Sequence, residues 1–135
     1  MAKFAILTEF IMLNAVDLSG YMKGGQLTIE ADVLEATTFG SAGWQENIAG
    51  LRSATLEASA LDDMAAAALD ATLWALLAQV VSFEVRPTNA ARSTSNPAYT
   101  GSVLISQHNL GGDVGKLAEK GLKFPTSGQV QRLTA

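Results

Sequence analysis

The chain has 135 residues, 48% of them apolar, and a formal net charge of −4. That length suits one domain with a real core, and that apolar content excludes global disorder. No window clusters Lys and Arg, which disfavours sequence-driven binding to duplex DNA; the absence of cysteine excludes disulfides and Cys-based zinc sites and leaves the redox compartment open.

The N-terminal run MAKFAILTEFIMLNAVDLSG is interrupted by Glu9, Asn14 and Asp17 before an h-region forms. No cleaved signal is expected. No apolar stretch reaches spanning length without a polar break, so no membrane partner is expected either. The chain reads as cytosolic or as part of a particle assembled in the cytosol. Residues 10–20 read as a strand, a turn near Asn14 and Ala15, and a second strand. Tyr21 to Gly25 read as a flexible link.

Two alternating segments follow, GQLTIEADVLE and LRSATLEASAL. Leu27, Ile29, Ala31 and Val33 share one face of the first, and Gln26, Thr28, Glu30 and Asp32 the other. In the second, Arg52, Ala54, Leu56, Ala58 and Ala60 alternate with Ser53, Thr55, Glu57 and Ser59. Period two predicts strands with one buried and one wet face. Leu27, Ile29, Val33, Leu56, Ala58 and Ala60 are expected in the core. The wet face is small, hydroxylated and acidic, and neither segment puts a lysine on it. Such a surface suits a channel wall past which a polyanion slides without sticking. The connecting loop, 36–50, carries Phe39, Trp44 and Ile48, with Leu51 next to it. A monomer struggles to bury that set, which points to a self-associating subunit with these four residues at the contact.

A helix is expected over 62–79, capped by Asp62 or Asp63 and rich in alanine. Leu69, Leu73, Leu76, Leu77 and Val80 form its apolar stripe, which together with Trp74 should pack on a sheet away from the polar strand face. VVSFEVRP reads as a strand that Pro87 ends, TNAARSTSNP as a polar loop, and AYTGSVLISQH as a strand with Tyr99, Val103 and Ile105 on one side. LGGDVGK reads as a turn region. Residues 117–124 and 128–133 read as closing strands with the turn FPTSGQ between them. The order predicts a mainly β fold with one α-helix, an antiparallel β-sandwich or half-barrel flanked by that helix, as a single domain over 1–135.

Chemistry-bearing constellations are missing. His108 stands without a second His or any Cys, a poor metal site. Asp62 and Asp63 are better explained as a helix cap than as an acid–base pair. LGGDVGK lacks the spacing of a phosphate-binding loop, and GxSxG and HExxH do not occur. No catalytic, cofactor-binding or metal site is expected, and the chain is not read as an enzyme.

The segments LNAVDLSGYMKGGQLTIEADVLEATTFGSAGWQENIAGLRSATLEASALDD and VSFEVRPTNAARSTSNPAYTGSVLISQ, with the Ala-rich helix between them and the closing strands, resemble the tail tube (major tail) proteins of long non-contractile-tailed bacteriophages. The resemblance covers nearly the whole chain, without the appended immunoglobulin-like domain that some members carry. It implies a structural virion protein, with six copies in a ring whose central strands close a barrel. Stacked rings then make a tail tube that conducts DNA into the host. It implies that Gln26, Thr28, Glu30, Asp32, Ser53, Thr55, Glu57 and Ser59 line the lumen. The implied partners are further copies of the chain, other tail proteins such as the tape measure and tail terminator, and DNA in transit. The implied location is the virion tail, assembled in the host cytoplasm. Two other readings stay open: the tube subunit of a bacterial contractile injection or secretion device, and a monomeric ligand-binding β-domain whose loop is a lid.

Overall fold

The computed structural model describes residues 5–65 and 68–134. Its elements run β1 (Phe10–Leu13), β2 (Val16–Asp17), β3 (Met22–Glu35), β4 (Asn47–Leu61), α1 (Leu69–Leu76), β5 (Val80–Arg86), β6 (Ala98–Leu104), β7 (Glu119–Pro125) and β8 (Gln131–Leu133). They build two antiparallel sheets, one ordered β2-β1-β5-β6-β8 and the other β3-β4-β7. The expected sandwich with one flanking helix is what forms.

Alternation decides what goes inside. Val81, Phe83 and Val85 of β5, Ile11 and Leu13 of β1, and Val103 of β6 face Leu56 and Ala60 of β4 and Leu122 and Phe124 of β7. Each sheet gives one face to this core. The β1–β2 turn falls on Asn14 and Ala15 as expected, with φ of 51° and 62°. Both are left-handed, as a type I′ hairpin turn requires, and Ala15 accepts strain that a glycine would avoid.

Several boundaries differ from the sequence reading. Tyr21 to Gly25 are not a flexible link: β3 begins at Met22, and a Cβ on Gly25 would stand 2.5 Å from Ile11 Cδ1. Glycine is used there so that β3 can approach β1 closely. The helix is Leu69–Leu76, not 62–79, and Ala68 is its N-cap, not Asp62 or Asp63. Within the expected span, 66 and 67 lie outside the described residues. Asp62 is drawn away from capping by buried Lys120, whose Nζ stands 3.4 Å from its Oδ2. At the other end Ala78 turns left-handed (φ 67°) and donates its N–H to the Ile105 carbonyl at 2.7 Å, which releases Val80 into β5. Leu69, Leu73 and Leu76 are buried in the core, whereas Trp74 is 63% exposed. The 126–130 segment is a crossover and not a hairpin: β7 pairs with β4, and β8 with β6. Thr126 N–H donates to the Ala54 carbonyl, and Ser127 N–H to that of Ser102, which carries the chain from one sheet to the other.

The largest departure is in β3 and β4. Leu27, Leu56, Ala58 and Ala60 pack on the core as expected, but Ile29, Ala31 and Val33 do not. The opposing strands have at most seven residues, against fourteen in β3 and fifteen in β4. Beyond about Ile29 the two strands therefore run past the sandwich as a bare ribbon with both faces in solvent. At about 3.3 Å per residue the overhang reaches roughly 20 Å.

Candidate functional site: the polar sheet face and the projecting ribbon

The outer face of β3-β4-β7 is set by register. Gln26 pairs with Glu57, Thr28 with Thr55, and Glu30 with Ser53; on the far side of β4, Glu57 pairs with Lys123 and Ser59 with Gly121. Gln26, Thr28, Thr55, Glu57 and Ser59 lie on the side of the sheet opposite the core, and Glu30, Ser53 and Asp32 follow them where the ribbon leaves the sandwich. The third strand supplies what the two alternating segments lack. Lys123 Nζ stands 3.7 Å from Glu57 Oε1, so one of the three acids has a cation beside it. Among the described residues no cation lies within 4.0 Å of Glu30 or Asp32. The acidic character is therefore concentrated where the ribbon leaves the sandwich. The row Gly24, Ser59 and Gly121 carries almost no side chain, and it floors an open groove of about 580 Å³.

A bulge marks the root of the ribbon. Asp32 stands opposite both Gly50 and Leu51, between the pairs Ala31–Arg52 and Val33–Ala49. An extra residue on one strand bends it and shifts its alternation. Leu34 and Ile48 are then paired on the side that Glu30 occupies lower down, so the polar face becomes apolar towards the tip.

The tip is ordered by its own hydrogen bonds. Ser41 Oγ accepts from Thr38 N–H at 3.1 Å while Ser41 N–H donates to the Thr38 carbonyl at 3.0 Å, which closes a short 3-10 turn over Phe39–Ser41. Glu46 N–H donates to Thr37 Oγ1 at 2.9 Å, and Ala36 N–H to the Glu46 carbonyl at 2.8 Å. Strand pairing resumes at Asn47, so Ile48 and Leu51 belong to β4 and not to the loop. This backbone frame pushes the apolar side chains out. Phe39 is 108% exposed and Trp44 79%, and Ile48 and Leu51 are exposed as well. No monomer core is within reach of them.

One cluster was missed in the sequence. Lys120 is fully buried; its Nζ lies 3.4 Å from Asp62 Oδ2 and 3.2 Å from Asp70 Oδ1, and it donates to the Asn109 carbonyl. His108 is held by the same aspartate, Nε2 to Oδ1 at 3.1 Å, and its ring meets Trp74 edge-on at 5.3 Å. The signal was available: Lys120 shares a phase with Leu122 and Phe124, which puts it on the core side of β7. The cluster joins α1, β7 and the 106–118 loop. On the outside of the other sheet, Glu84 is buried between Arg92 and Arg86, the latter at 3.2 Å, and Asn96 folds the 87–97 loop by donating to the Thr88, Ala90 and Ala91 carbonyls. These groups serve the fold. Among the described residues no cluster of His, Asp and Glu suits a metal ion.

No curated protein matches this chain. Among solved structures, the tail of an empty gene transfer agent particle, refined helically with C6 symmetry, superposes with a TM-score of 0.71 at 19% identity, covering 99% of this chain and 100% of that one. A chain of the virion of a native gene transfer agent particle superposes at 0.67 with 17% identity, covering 83% and 84%. At such identities the likeness is one of fold. The sequence profile of the phage tail tube protein family matches residues 13–132, so that this chain, with its one-sided polar sheet and apolar projecting ribbon, belongs to that family.

Proposed function

We propose that this tail tube protein forms six-membered rings whose β3-β4-β7 sheets join into one barrel, and that the stacked rings conduct DNA. The observation that carries the reading is a sheet with opposite demands on its two faces. One side is core, and the other is a hydroxylated, acidic surface that no element among the described residues covers. The outer edges of β3 and β7 are paired with no strand among the described residues. Closing the ring pairs both edges, which removes the hazard an exposed edge presents. The C6 symmetry of the similar tail supports six copies. Likeness to gene transfer agent particles also supports a nucleic acid cargo over a protein effector.

In the ring, Gln26, Thr28, Glu30, Asp32, Ser53, Thr55, Glu57 and Ser59 line the lumen. Glu30 and Asp32 repeat in every subunit as a negative band, and Glu57 adds little because Lys123 stands beside it. Charges in water are screened over about 8–10 Å, so the band acts close to the wall. It repels phosphate there and keeps a passing duplex from adhering. Phe39, Trp44, Ile48 and Leu51 on the ribbon contact neighbouring subunits. This work needs no catalysis and no cofactor. The partners are further copies of the chain and the other tail proteins, tape measure and terminator among them, with assembly in the host cytoplasm.

The test is a tube reconstruction at side-chain resolution, with Glu30→Lys/Asp32→Lys/Glu57→Lys as companion. Wild-type carboxylates should face the bore, and the variant tubes should hold DNA in a strongly salt-dependent way as phosphate counterions are released. Carboxylates on the outer surface of the tube would refute the conduit.

A further inference from the structure

We infer that Gln107 and Asn109 are placeholders on the free edge of β7 for the β3 strand of the next copy, which replaces them in a parallel pairing when the ring closes. The inference rests on the ring proposed above.

The edge chemistry follows from register. Thr126 N–H donates to the Ala54 carbonyl and Asp62 N–H to that of Ala118, at 3.0 and 2.9 Å. Bonded and non-bonded pairs alternate along an antiparallel ladder. Between those two bonds, Glu57–Lys123 and Ser59–Gly121 are therefore non-bonded pairs. The N–H and C=O of Gly121 and Lys123 turn away from β4, towards the free edge. The same counting turns the backbone groups of Glu57 and Ser59 towards β3, which leaves those of Gly25, Leu27 and Ile29 pointing out from its free side.

The outward groups on β7 thus belong to polar-face residues, and those on β3 to core-face residues. A parallel ladder needs that offset. Each residue bonding across it stands opposite a residue of its own face and bonds to the two flanking it, which face the other way. Direction fits as well, since β3 and β7 are both antiparallel to β4 and so run the same way. Rotation about a ring axis brings β7 of one copy beside β3 of the next with polar face meeting polar face.

In the single chain those β7 carbonyls are taken. Gln107 Nε2 donates to the Lys123 carbonyl at 3.2 Å, and Asn109 Nδ2 donates to that of Gly121. Both donors are amide N–H groups, the chemistry a neighbouring backbone supplies, so the carbonyls exchange one amide for another. The segment is held in place between them: Lys120 donates to the Asn109 carbonyl, and His108 sits on Asp70. Pro125, at the end of β7, has no N–H and ends the edge there. The side chains keep the edge from pairing out of turn.

The test compares wild type with Gln107→Ala/Asn109→Ala, both exposed positions, by light scattering and electron microscopy across a concentration series. The variant should form tubes at a roughly tenfold lower concentration, equivalent to about 1.4 kcal/mol. An unchanged or higher threshold, with a folded monomer, overturns the placeholder role and leaves the tube reading intact. Failure of both proteins to form tubes even when seeded with tail fragments overturns both. Amide hydrogen exchange on wild type gives a readout free of mutation. Leu27 and Ile29 should become protected in the tube and be unprotected in the free subunit, and equal exchange in the two states overturns the pairing.

Discussion

Lys120→Met removes one charge from the interior and keeps most of the packing, because methionine fills the volume of the lysine stem. What remains is the problem. The Asp62 side chain is 1% exposed, and among the described residues the cation beside its Oδ2 is Lys120 Nζ at 3.4 Å. The carbonyl of Asn109 loses its donor in the same stroke. Asp70, which is partly open to water, can be rehydrated; Asp62 cannot. Breaking a buried pair from one side costs about 3–5 kcal/mol, because an uncompensated charge is left behind. Adding Asp62→Asn neutralises that charge, and the double variant should regain about 1–3 kcal/mol relative to the single, the coupling typical of contacting groups. Urea unfolding followed by circular dichroism reads both quantities, provided the slope is unchanged so that midpoints report stability. A single variant within about 1 kcal/mol of wild type would refute the reasoning, and so would a double variant no more stable than the single.

Three further expectations are independent of that cluster. Leu73→Ala, at a buried helix position, should lower stability by about 2–5 kcal/mol; a thermal melt matching wild type would contradict the packing of α1 on the core. Trp44→Ala should leave the monomer's melt unchanged and weaken tube formation, and a variant that polymerises normally removes Trp44 from the subunit contact. Burial raises the pKa of Glu9 above its ordinary 4.5, so the native state favours its protonated form. That contribution is full below the ordinary value and is lost as pH rises through the raised one. Glu9→Gln should therefore be more stable than wild type near neutrality, with the gap closing in acid, and parallel stability–pH curves would exclude this.

Much of the fold could be read because alternation reports which side a residue takes. The alternation from Gln26 to Thr28 and from Thr55 to Ser59 is matched by core on one side and solvent on the other, and the positions of β5 and β6 follow from their apolar runs. Alternation does not report whether anything lies opposite. Ile29, Ala31 and Val33 carry the same pattern as Leu27, yet they stand beyond the end of the facing sheet. The helix was overextended for a related reason. Local propensity favoured the Ala-rich stretch and an aspartate cap, and tertiary demand from Lys120 outweighed it by drawing Asp62 into the core. For Lys120 the two signals conflict, since residue type points to solvent while strand phase points to the core, where it lies.

A two-stranded ribbon with water on both sides is at best marginally stable alone, and residues beyond Ile29 in β3 have only their partner strand to hold them. In the proposed ring the ribbon gains the burial that its own chain does not supply. On that proposal, a melt of the free subunit measures the sandwich, and the distal hairpin and its aromatics add their share when another copy covers them. The stability of the proposed tube would then exceed the sum of its subunits' stabilities and depend on protein concentration in a way no single-chain unfolding curve records.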